Sequence, residues 1–206
     1  MWSIDFEDVG MTFGARTIFS GITHRIEGGR ITAVIGQNGS GKSTCLRLAG
    51  HLLRPTQGTV IVQRDGETLR QGALRQEIGM VTPELRFYPR LTARENMTFL
   101  LGLRGKQLDE QAYQQALRQV GLETEAVAHT MTGEFSTGMR QRLKLAVLFL
   151  VDAHIWLLDE PGANLDAAGR SMVLRAAREA AQAGRLVLLA TNDPGEEEVA
   201  DDIIHL

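Results

Sequence analysis

One glycine-rich turn near residue 40 has the residue types and spacing that could hold the phosphates of a nucleotide. It fits the pattern G-x-x-x-x-G-K-[ST], follows the apolar run Ile31–Ile35 and opens a helix-like segment, Lys42–Ala49. Glycines let successive backbone N–H groups point into one concavity, and a helix N-terminus adds about half a positive charge. The residues of this turn are Gly36, Gln37, Asn38, Gly39, Ser40, Gly41, Lys42, Ser43 and Thr44.

Two side chains at the end of the turn add what the backbone lacks. The Lys42 ammonium brings a full positive charge to the β- and γ-phosphates, and the Ser43 hydroxyl is a hard oxygen ligand for Mg²⁺. The alternative is a glycine-rich turn that binds nothing. Because every fixed position is filled and the order of strand, turn and helix is intact, the pattern favours binding of a nucleoside triphosphate with Mg²⁺.

Two carboxylates follow a second apolar run, residues 155–158, more than a hundred residues downstream. Open sheets bind ligands at the carboxyl ends of their strands, so Asp159 is predicted beside the phosphate turn, where it can hold Mg²⁺ through the water shell of the ion. Glu160 points elsewhere and can orient or deprotonate the attacking water. A solvated strand end would explain this acidic pair if it stood alone, and the phosphate turn favours the catalytic interpretation.

The elements that position these residues alternate between strands and helices, which predicts a mainly parallel sheet covered on both faces. The apolar runs suited to buried strands are Ile31–Ile35, 60–62, Ile78–Val81, 155–158, 187–190 and 203–206. The predicted helices are Lys42–Ala49, a helix from the capping box Thr92-Ala-Arg-Glu95 to about residue 101, 109–120, 138–151 and 167–183. The N-terminal stretch IDFEDVGMTF predicts a more exposed, antiparallel strand.

The chain is predicted to be a single domain made of a core and an inserted lobe. Residues 83–132 carry helical patterns only, so they are predicted to form a helical subdomain rather than part of the sheet. Residues 1–82 and 133–206 would then form the nucleotide-binding core.

Composition excludes several classes of function. The formal net charge of −3 does not suit a protein that binds nucleic acid. The longest apolar run, residues 145–151, is far shorter than the roughly 20 residues of a spanning helix, and the first residues lack the basic start of an export signal. The single cysteine, Cys45, excludes an internal disulfide; it is interpreted as a buried structural thiol, with a redox switch as the alternative.

A further motif lies between the two sites. The stretch FSTGMRQR, residues 135–142, precedes a long helix, and Ser136 stands 23 residues before Asp159. This stretch resembles the signature motif of ATP-binding cassette (ABC) ATPases, in the variant with methionine at the fifth position. Ser136 and the backbone N–H groups from Gly138 onward would form an anion site at a second helix N-terminus; the alternative for the motif alone is a plain capped helix. The resemblance covers essentially the whole chain and implies the P-loop NTPase fold of an ABC cassette.

The resemblance also implies a mechanism and partners. Two cassettes meet head to tail, so that ATP bound with Mg²⁺ on one phosphate turn is covered by Ser136 and Gly138 of the other. A homodimer is expected, and a related chain as the second cassette is the alternative. Phe13 would stack on adenine, and Asp166 in the stretch NLD would contact the opposite subunit. The helical lobe would contact transmembrane permease subunits, which places the chain at the cytoplasmic face of the inner membrane. ATP closes the dimer, hydrolysis releases it, and the cycle drives the permease.

This sequence departs from the family pattern at three places. The strand end Thr82-Pro83-Glu84 lacks the usual glutamine, and Glu84 could still ligate Mg²⁺ although it adds negative charge beside the phosphates. The signature stretch has Thr137 and Met139 where glycine and glutamine are commoner. Asn192 stands where a histidine usually contacts the γ-phosphate. We therefore hypothesise that Asn192 keeps γ-phosphate sensing but lowers hydrolysis, the alternative being that it only caps the turn before Pro194.

The resemblance leaves the transported cargo open. The short chain, the NLD stretch after DEPGA and the altered position at Asn192 resemble the haem-handling cassette of cytochrome c maturation, whereas STGMRQRL also resembles cassettes of drug and polysaccharide exporters. The main hypothesis is an exporter ATPase. The alternatives are an ATP-dependent dimerisation switch that hydrolyses weakly or not at all, and a soluble ABC protein acting on DNA or ribosomes. Phe87, Tyr88 and Leu91 either dock a membrane subunit or pack inside the lobe.

Overall fold

The structure is a computed structural model that describes residues 1–122 and 124–206, with only the backbone described at positions 71, 124 and 126. Its strands are β1 Trp2–Phe13, β2 Arg16–Glu27, β3 Ile31–Ile35, β4 Gln57–Arg64, β5 Glu67–Thr68, β6 Ile78–Val81, β7 Ile155–Asp159, β8 Leu186–Ala190 and β9 Asp202–His205. Its helices are α1 Lys42–Ala49, α2 Gln71–Glu77, α3 Ala93–Gly102, α4 Glu110–Gln119, α5 Thr124–Val127, α6 Thr137–Val151, α7 Ala167–Gln182 and α8 Pro194–Glu198, with a 3₁₀ turn at Thr132–Glu134.

The predicted parallel sheet is present, with the strand order β6-β7-β8-β3-β9. Strand β3 pairs in parallel with β8 and β9, and β7 pairs in parallel with β8. Every residue of β7 and β8 is buried, as expected for strands in the middle of a sheet whose two faces are covered. The carboxyl ends of β7, β8 and β3 therefore lie side by side at one edge of this sheet.

A second, antiparallel sheet has the order β2-β1-β4-β5. The antiparallel direction of β1 agrees with the prediction, but its predicted exposure is wrong. Ile4, Phe6 and Val9 are fully buried, because β1 lies between β2 and β4 and one of its faces packs into the core. Strand β2 escaped prediction because most of its side chains are exposed or half-buried, so no continuous apolar run marks it.

The first of two compact units consists of Met1–Met80, Ala153–Glu160 and Ala176–Leu206. Its core is a continuous cluster of apolar side chains from both sheets and from α1. Phe6 of β1, Val34 of β3, Leu46 of α1 and Leu188 of β8 all belong to this cluster, and each is completely or almost completely buried. The phosphate turn between β3 and α1 thus rests on rigid elements.

The second compact unit consists of Val81–Asp152 and Pro161–Arg175. Helices α3 and α4 pack on α6 within it, and the side chains of Met97, Tyr113 and Leu143 are buried between them. The capping box predicted at the start of α3 is present, with Thr92 accepting from the N–H of Glu95 and the Glu95 carboxylate accepting from Thr92.

The predicted helical subdomain, residues 83–132, falls inside this second unit, although α6 groups with it as well. Glu123 of that segment lies outside the described residues. Of the helices in residues 1–122 and 124–206, none has both the length and the apolar character needed to cross a bilayer. The longest, α7, has 16 residues.

Apolar side chains on the surface of the second unit differ from the predicted set. Phe87 is only 8% exposed and therefore packs inside the unit, and Leu91 is half-buried. Tyr88 is exposed, and its ring lies edge to face against Phe99, with 5.1 Å between the ring centroids. Leu103 lies one helical turn beyond Phe99, and Tyr88, Phe99 and Leu103 are all exposed. Met131 is a further exposed apolar side chain of this unit.

Candidate nucleotide site

The phosphate turn needs glycine at two positions for steric reasons. Gly41, the N-cap of α1, has φ +109°, and a Cβ there would lie 2.4 Å from the Ile18 side chain of β2. A Cβ at Gly36 would lie 2.6 Å from both the Leu206 carbonyl oxygen and Ser40 Oγ. Side chains of β2 at Gly41, and the Leu206 carbonyl with the Ser40 hydroxyl at Gly36, therefore exclude larger residues, which explains why the spacing of these glycines is a reliable signal.

The Lys42 ammonium lies inside the turn rather than in solvent. Its Nζ donates to the carbonyl oxygens of Gly36 at 2.8 Å and of Gln37 at 3.2 Å, and the side chain is buried. The hydroxyl of Ser40 is also buried and, among the described residues, has no hydrogen-bond partner. A buried ammonium and an unsatisfied hydroxyl beside a helix N-terminus fit the oxygens of a phosphate group.

Oxygen donors suited to Mg²⁺ occur in the same unit. Ser43 is the second residue of α1, and Asp159 is the buried last residue of β7. No group of three or more His, Cys, Asp or Glu side chains that could hold a metal occurs in the described part of the chain. A hydroxyl and a single carboxylate suit Mg²⁺, which keeps several water ligands and is held partly by phosphate oxygens. Glu84, the third predicted ligand, lies in the exposed turn after β6 in the second unit.

Strand register brings the predicted catalytic residues to one edge of the sheet. Asp159 of β7 pairs with Ala190 of β8, and Ala190 in turn pairs with Val34 of β3. The N–H of Glu160 donates to the Ala190 carbonyl at 2.8 Å, and Glu160 has the left-handed φ of +47°. Residues other than glycine are uncommon in this left-handed region and are found where the surrounding structure fixes the backbone, so the backbone at Glu160 is held in a defined conformation.

Asn192 connects this edge to the phosphate turn. Its Nδ2 donates to Asn38 Oδ1 at 2.5 Å and to Glu160 Oε1 at 3.3 Å. The turn before Pro194 is capped by the neighbours of Asn192. Thr191 Oγ1 accepts from the N–H of Asp193, and Asp193 Oδ1 accepts from the N–H of Gly195, so these two neighbours make the cap.

Phe13 and Cys45 have different surroundings in the first unit. Phe13 ends β1 next to its hairpin turn and is about half exposed. Its stacking on adenine stays a prediction. Cys45 is completely buried in α1, and this burial raises the pKa of its thiol to about 12. Because the thiolate is the reactive form, the structural interpretation of Cys45 is supported over a redox switch.

In the second unit, Ser136 caps α6, and its Oγ accepts from the N–H of Met139 at 3.1 Å. Ser136 and Thr137 are exposed. A hydroxyl that accepts one hydrogen bond can also donate one, so Ser136 is able to contact an anion at this helix N-terminus. A Cβ at Gly138 would lie 3.1 Å from the Asn164 carbonyl oxygen, so a larger residue there would require a small shift of that backbone.

Asp166 is engaged within its own chain. Its Oδ1 accepts from the N–H of Gly169 and from Arg142 Nη2, both at 2.8 Å. The Gly169 hydrogen bond, followed by the Arg142 charge, lowers the pKa of the Asp166 carboxyl. The predicted contact of Asp166 with an opposite subunit remains a prediction, because the side chain is exposed but already caps α7.

Sequence reasoning missed three polar residues of α6, Gln141, Arg142 and Lys144, that contact backbone carbonyls of segments distant in sequence. Arg142 Nη1 donates to Val120 at 2.6 Å, and buried Gln141 donates to Pro161 at 2.8 Å. Lys144 donates to Thr82 at 2.7 Å. The available signal was the presence of polar residues at positions that face the interior in a largely buried helix. Their partners could not be predicted, because every residue carries a backbone carbonyl.

Comparison with known proteins decides the family. A family model described as ABC transporter matches residues 19–163, more than half of the chain.

The chain belongs to the ABC transporter family. It is 34% identical over 210 residues to the glutamine transport ATP-binding protein GlnQ of Escherichia coli (strain K12), covering 98% of this chain and 87% of that protein. It is 35% identical over 180 residues to the cytochrome c biogenesis ATP-binding export protein CcmA of Bradyrhizobium diazoefficiens, covering 87% of this chain and 86% of that protein. Some relatives are longer: the chain spans 57% of the Fe(3+) ions import ATP-binding protein FbpC of Agrobacterium fabrum.

Solved structures agree on the fold. The dimeric structure of MJ0796, a bacterial ABC transporter cassette, superposes with a TM-score of 0.84 at 25% identity, covering 98% of this chain and 94% of that chain. The predicted ABC cassette and its P-loop NTPase fold are therefore confirmed. The roles given to individual residues stay predictions, and the relatives include proteins named for import as well as for export.

Proposed function

We propose that this ABC cassette binds ATP with Mg²⁺, pairs head to tail with a second copy, hydrolyses the nucleotide and drives export through a transmembrane permease. One observation carries the catalytic part: within the first unit, the Asn192 amide bonds both to Asn38 of the phosphate turn and to the Glu160 carboxylate. When bound, ATP would supply the phosphoanhydride bond that is cleaved, and Mg²⁺ would neutralise the negative charge that develops during its cleavage.

The chain's own residues divide this task. Lys42 contacts phosphate oxygens, Ser43 and Asp159 hold the metal, and Glu160 takes the proton of the attacking water. Ser136 and Gly138 of a second copy would cover the nucleotide. Release of phosphate by the purified chain with Mg²⁺-ATP tests the proposal. Binding without any release of phosphate would instead support the ATP-dependent dimerisation switch.

Haem is the cargo class we propose for the export reaction, on the basis of the likeness to CcmA. In that arrangement the cassette sits at the cytoplasmic face of the inner membrane. Identification of the membrane proteins that co-purify with the chain from detergent-solubilised membranes tests this assignment. A permease with several spanning helices and bound haem would support it, and a permease for amino acids would replace it.

The permease contact is proposed to use the apolar surface of Tyr88, Phe99 and Leu103, whose side chains are 54%, 41% and 69% exposed. Replacing Phe99 with glutamine is expected to reduce recovery of the chain with membranes about tenfold, because aromatic anchors dominate such interfaces. Sedimentation with membrane vesicles that contain the permease measures this. The matched control is Leu52→Gln, which alters an exposed apolar residue of the first unit. Equal loss in both variants would refute the assigned surface.

Asn192 is expected to limit turnover. Its amide donates hydrogen bonds but carries no charge and moves no proton, whereas an imidazole does both near neutral pH. Replacing Asn192 with histidine is therefore expected to raise the rate of ATP hydrolysis about tenfold with Glu160 intact. Steady-state phosphate release measures the change, and Asn192→Ala, which loses both contacts, should be slower than the parent. If turnover of the histidine variant does not exceed that of the parent, this side chain does not limit hydrolysis.

A further inference from the structure

Lys144 is a buried cation in an apolar stretch of α6. It is 8% exposed and stands between Leu143 and Leu145, which are also buried. Burial lowers the pKa of the Lys144 ammonium, and the nearby Glu84 carboxylate acts in the opposite direction. An ammonium removed from water is costly unless it is paired, so the fold keeps Lys144 at this position through specific contacts.

Those contacts are made with the segment that follows β6. Lys144 Nζ donates to the carbonyl oxygens of Thr82 at 2.7 Å and of Pro83 at 3.2 Å. The same segment turns on itself, because the N–H of Leu85 donates to the carbonyl and to Oγ1 of Thr82, both at 3.2 Å. A single cation therefore holds the backbone at the start of a tight turn.

This turn is also one of the three places where the chain departs from the family pattern. Pro83 or Glu84 occupies the position of the usual glutamine, and proline offers no side-chain hydrogen bond. A proline at this position leaves the backbone carbonyls as groups through which another side chain can hold the turn. Within the second unit, the Lys144 ammonium contacts the backbone carbonyls of both Thr82 and Pro83 and ties them to α6.

We propose that Lys144 is a positioning residue that fixes the turn Thr82-Pro83-Glu84 to α6. Because Ser136 caps the same helix, the turn with Glu84 and the anion site at the start of α6 then move as one body. The fixed turn is a property of the second unit alone. Its consequence for hydrolysis rests on the proposed function.

Trypsin gives a direct test of the fixed turn in the full chain. Arg86 is exposed, but the next residue, Phe87, is buried, so cleavage of the bond between them requires the segment to open locally. Replacing Lys144 with methionine keeps the volume and removes the charge. It is expected to raise the rate of cleavage after Arg86 about tenfold, the factor expected for a lost hydrogen bond to a charged group. Mass spectrometry of the fragments measures this rate.

Two further variants serve as controls. Lys144→Arg retains a cation with several donors and should keep the cleavage rate within about twofold of the parent. Lys106→Met removes a lysine whose Nζ donates at 2.5 Å to the Val151 carbonyl, at the far end of the same helix, and should leave cleavage after Arg86 unchanged. Parental cleavage of Lys144→Met, or equal acceleration in Lys106→Met, overturns the proposal. If Lys144→Met does not unfold cooperatively, Lys144→Gln takes its place under the same criteria.

Kinetics test the catalytic consequence. Lys144→Met is expected to lower kcat for ATP hydrolysis about tenfold and to leave KM unchanged, since the phosphate turn belongs to the other unit. Lys144→Arg should keep the parental kcat. If Lys144 mattered only for stability, Lys144→Met would lower the unfolding midpoint without lowering kcat at an unchanged KM. A parental kcat in Lys144→Met refutes the coupling to hydrolysis. A parent without ATPase activity refutes the proposed function instead, and the trypsin comparison still decides the role of Lys144.

Discussion

Replacing Glu160 with glutamine is expected to lower the rate of ATP hydrolysis at least about 100-fold while leaving ATP affinity within about threefold of the parent. The amide has nearly the same shape, and its Oε1 can still accept from Asn192 Nδ2 as the carboxylate does at 3.3 Å. The backbone bond from the Glu160 N–H to Ala190 is unaffected by the change. What the amide cannot do is accept the proton of the attacking water.

Phosphate release measures the rate, and titration calorimetry with Mg²⁺-ATP measures the affinity. Glu67→Gln is a suitable control, because Glu67 is an exposed residue of the short edge strand β5. Hydrolysis by Glu160→Gln at the parental rate would show that Glu160 is not the base and would favour the dimerisation switch. An affinity lost together with the rate would show that the glutamine disturbs the site itself.

The position of Glu160 illustrates what the sequence could predict. An apolar run that ends in Asp-Glu predicts a strand with carboxylates at its tip, and the structure places Asp159 at the buried end of β7. The sequence does not state which strands are neighbours, since strand order depends on the crossover connections of the whole chain. The order β7-β8-β3, which brings Glu160 and Asn192 to the phosphate turn, became visible only in the structure.

Contacts distant in sequence were the least predictable. Asn192 and Asn38 are 154 residues apart, and a pair of asparagines carries no charge pattern that would join them. Strand β2 was also difficult to predict, because most of its residues are exposed or half-buried and form no continuous apolar run. Its Ile18 and Phe19 side chains nevertheless pack close to Gly41. The phosphate turn was predictable because its steric and electrostatic requirements are local, and they restrict each position to a few residue types.

The contacts of α6 share one physical feature that explains why they escaped prediction. Gln141, Arg142 and Lys144 each donate to a carbonyl oxygen of another segment, and every residue carries such an oxygen. These donors make α6 the element that holds the loops of the second unit, in addition to its apolar packing against α3 and α4. A change in the orientation of α6 would therefore be transmitted to the turn after β6 and to the segment that begins at Pro161.

Replacing Lys42 with alanine is expected to weaken binding of Mg²⁺-ATP at least about 100-fold, which corresponds to about 2.7 kcal/mol. The buried Lys42 ammonium donates to the carbonyl oxygens of Gly36 and Gln37, and a bound phosphate would offer charged oxygens in their place. Alanine removes the full charge and leaves only the backbone N–H groups of the turn. Titration calorimetry with Mg²⁺-ATP measures the loss. The control is Lys106→Ala, which replaces an exposed lysine of the second unit and should bind Mg²⁺-ATP like the parent.

Lys42→Arg separates charge from shape at the same position. The turn is closely packed, since a Cβ at Gly41 would already lie 2.4 Å from Ile18, so a planar guanidinium has little room where a compact ammonium fits. We expect Lys42→Arg to bind Mg²⁺-ATP at least about tenfold more weakly than the parent despite its positive charge. Parental affinity in Lys42→Arg would show that net charge alone attracts the nucleotide. Parental affinity in Lys42→Ala would show that the turn does not hold the phosphates, and the nucleotide site, the paired cassettes and the hydrolysis built on it would all be refuted.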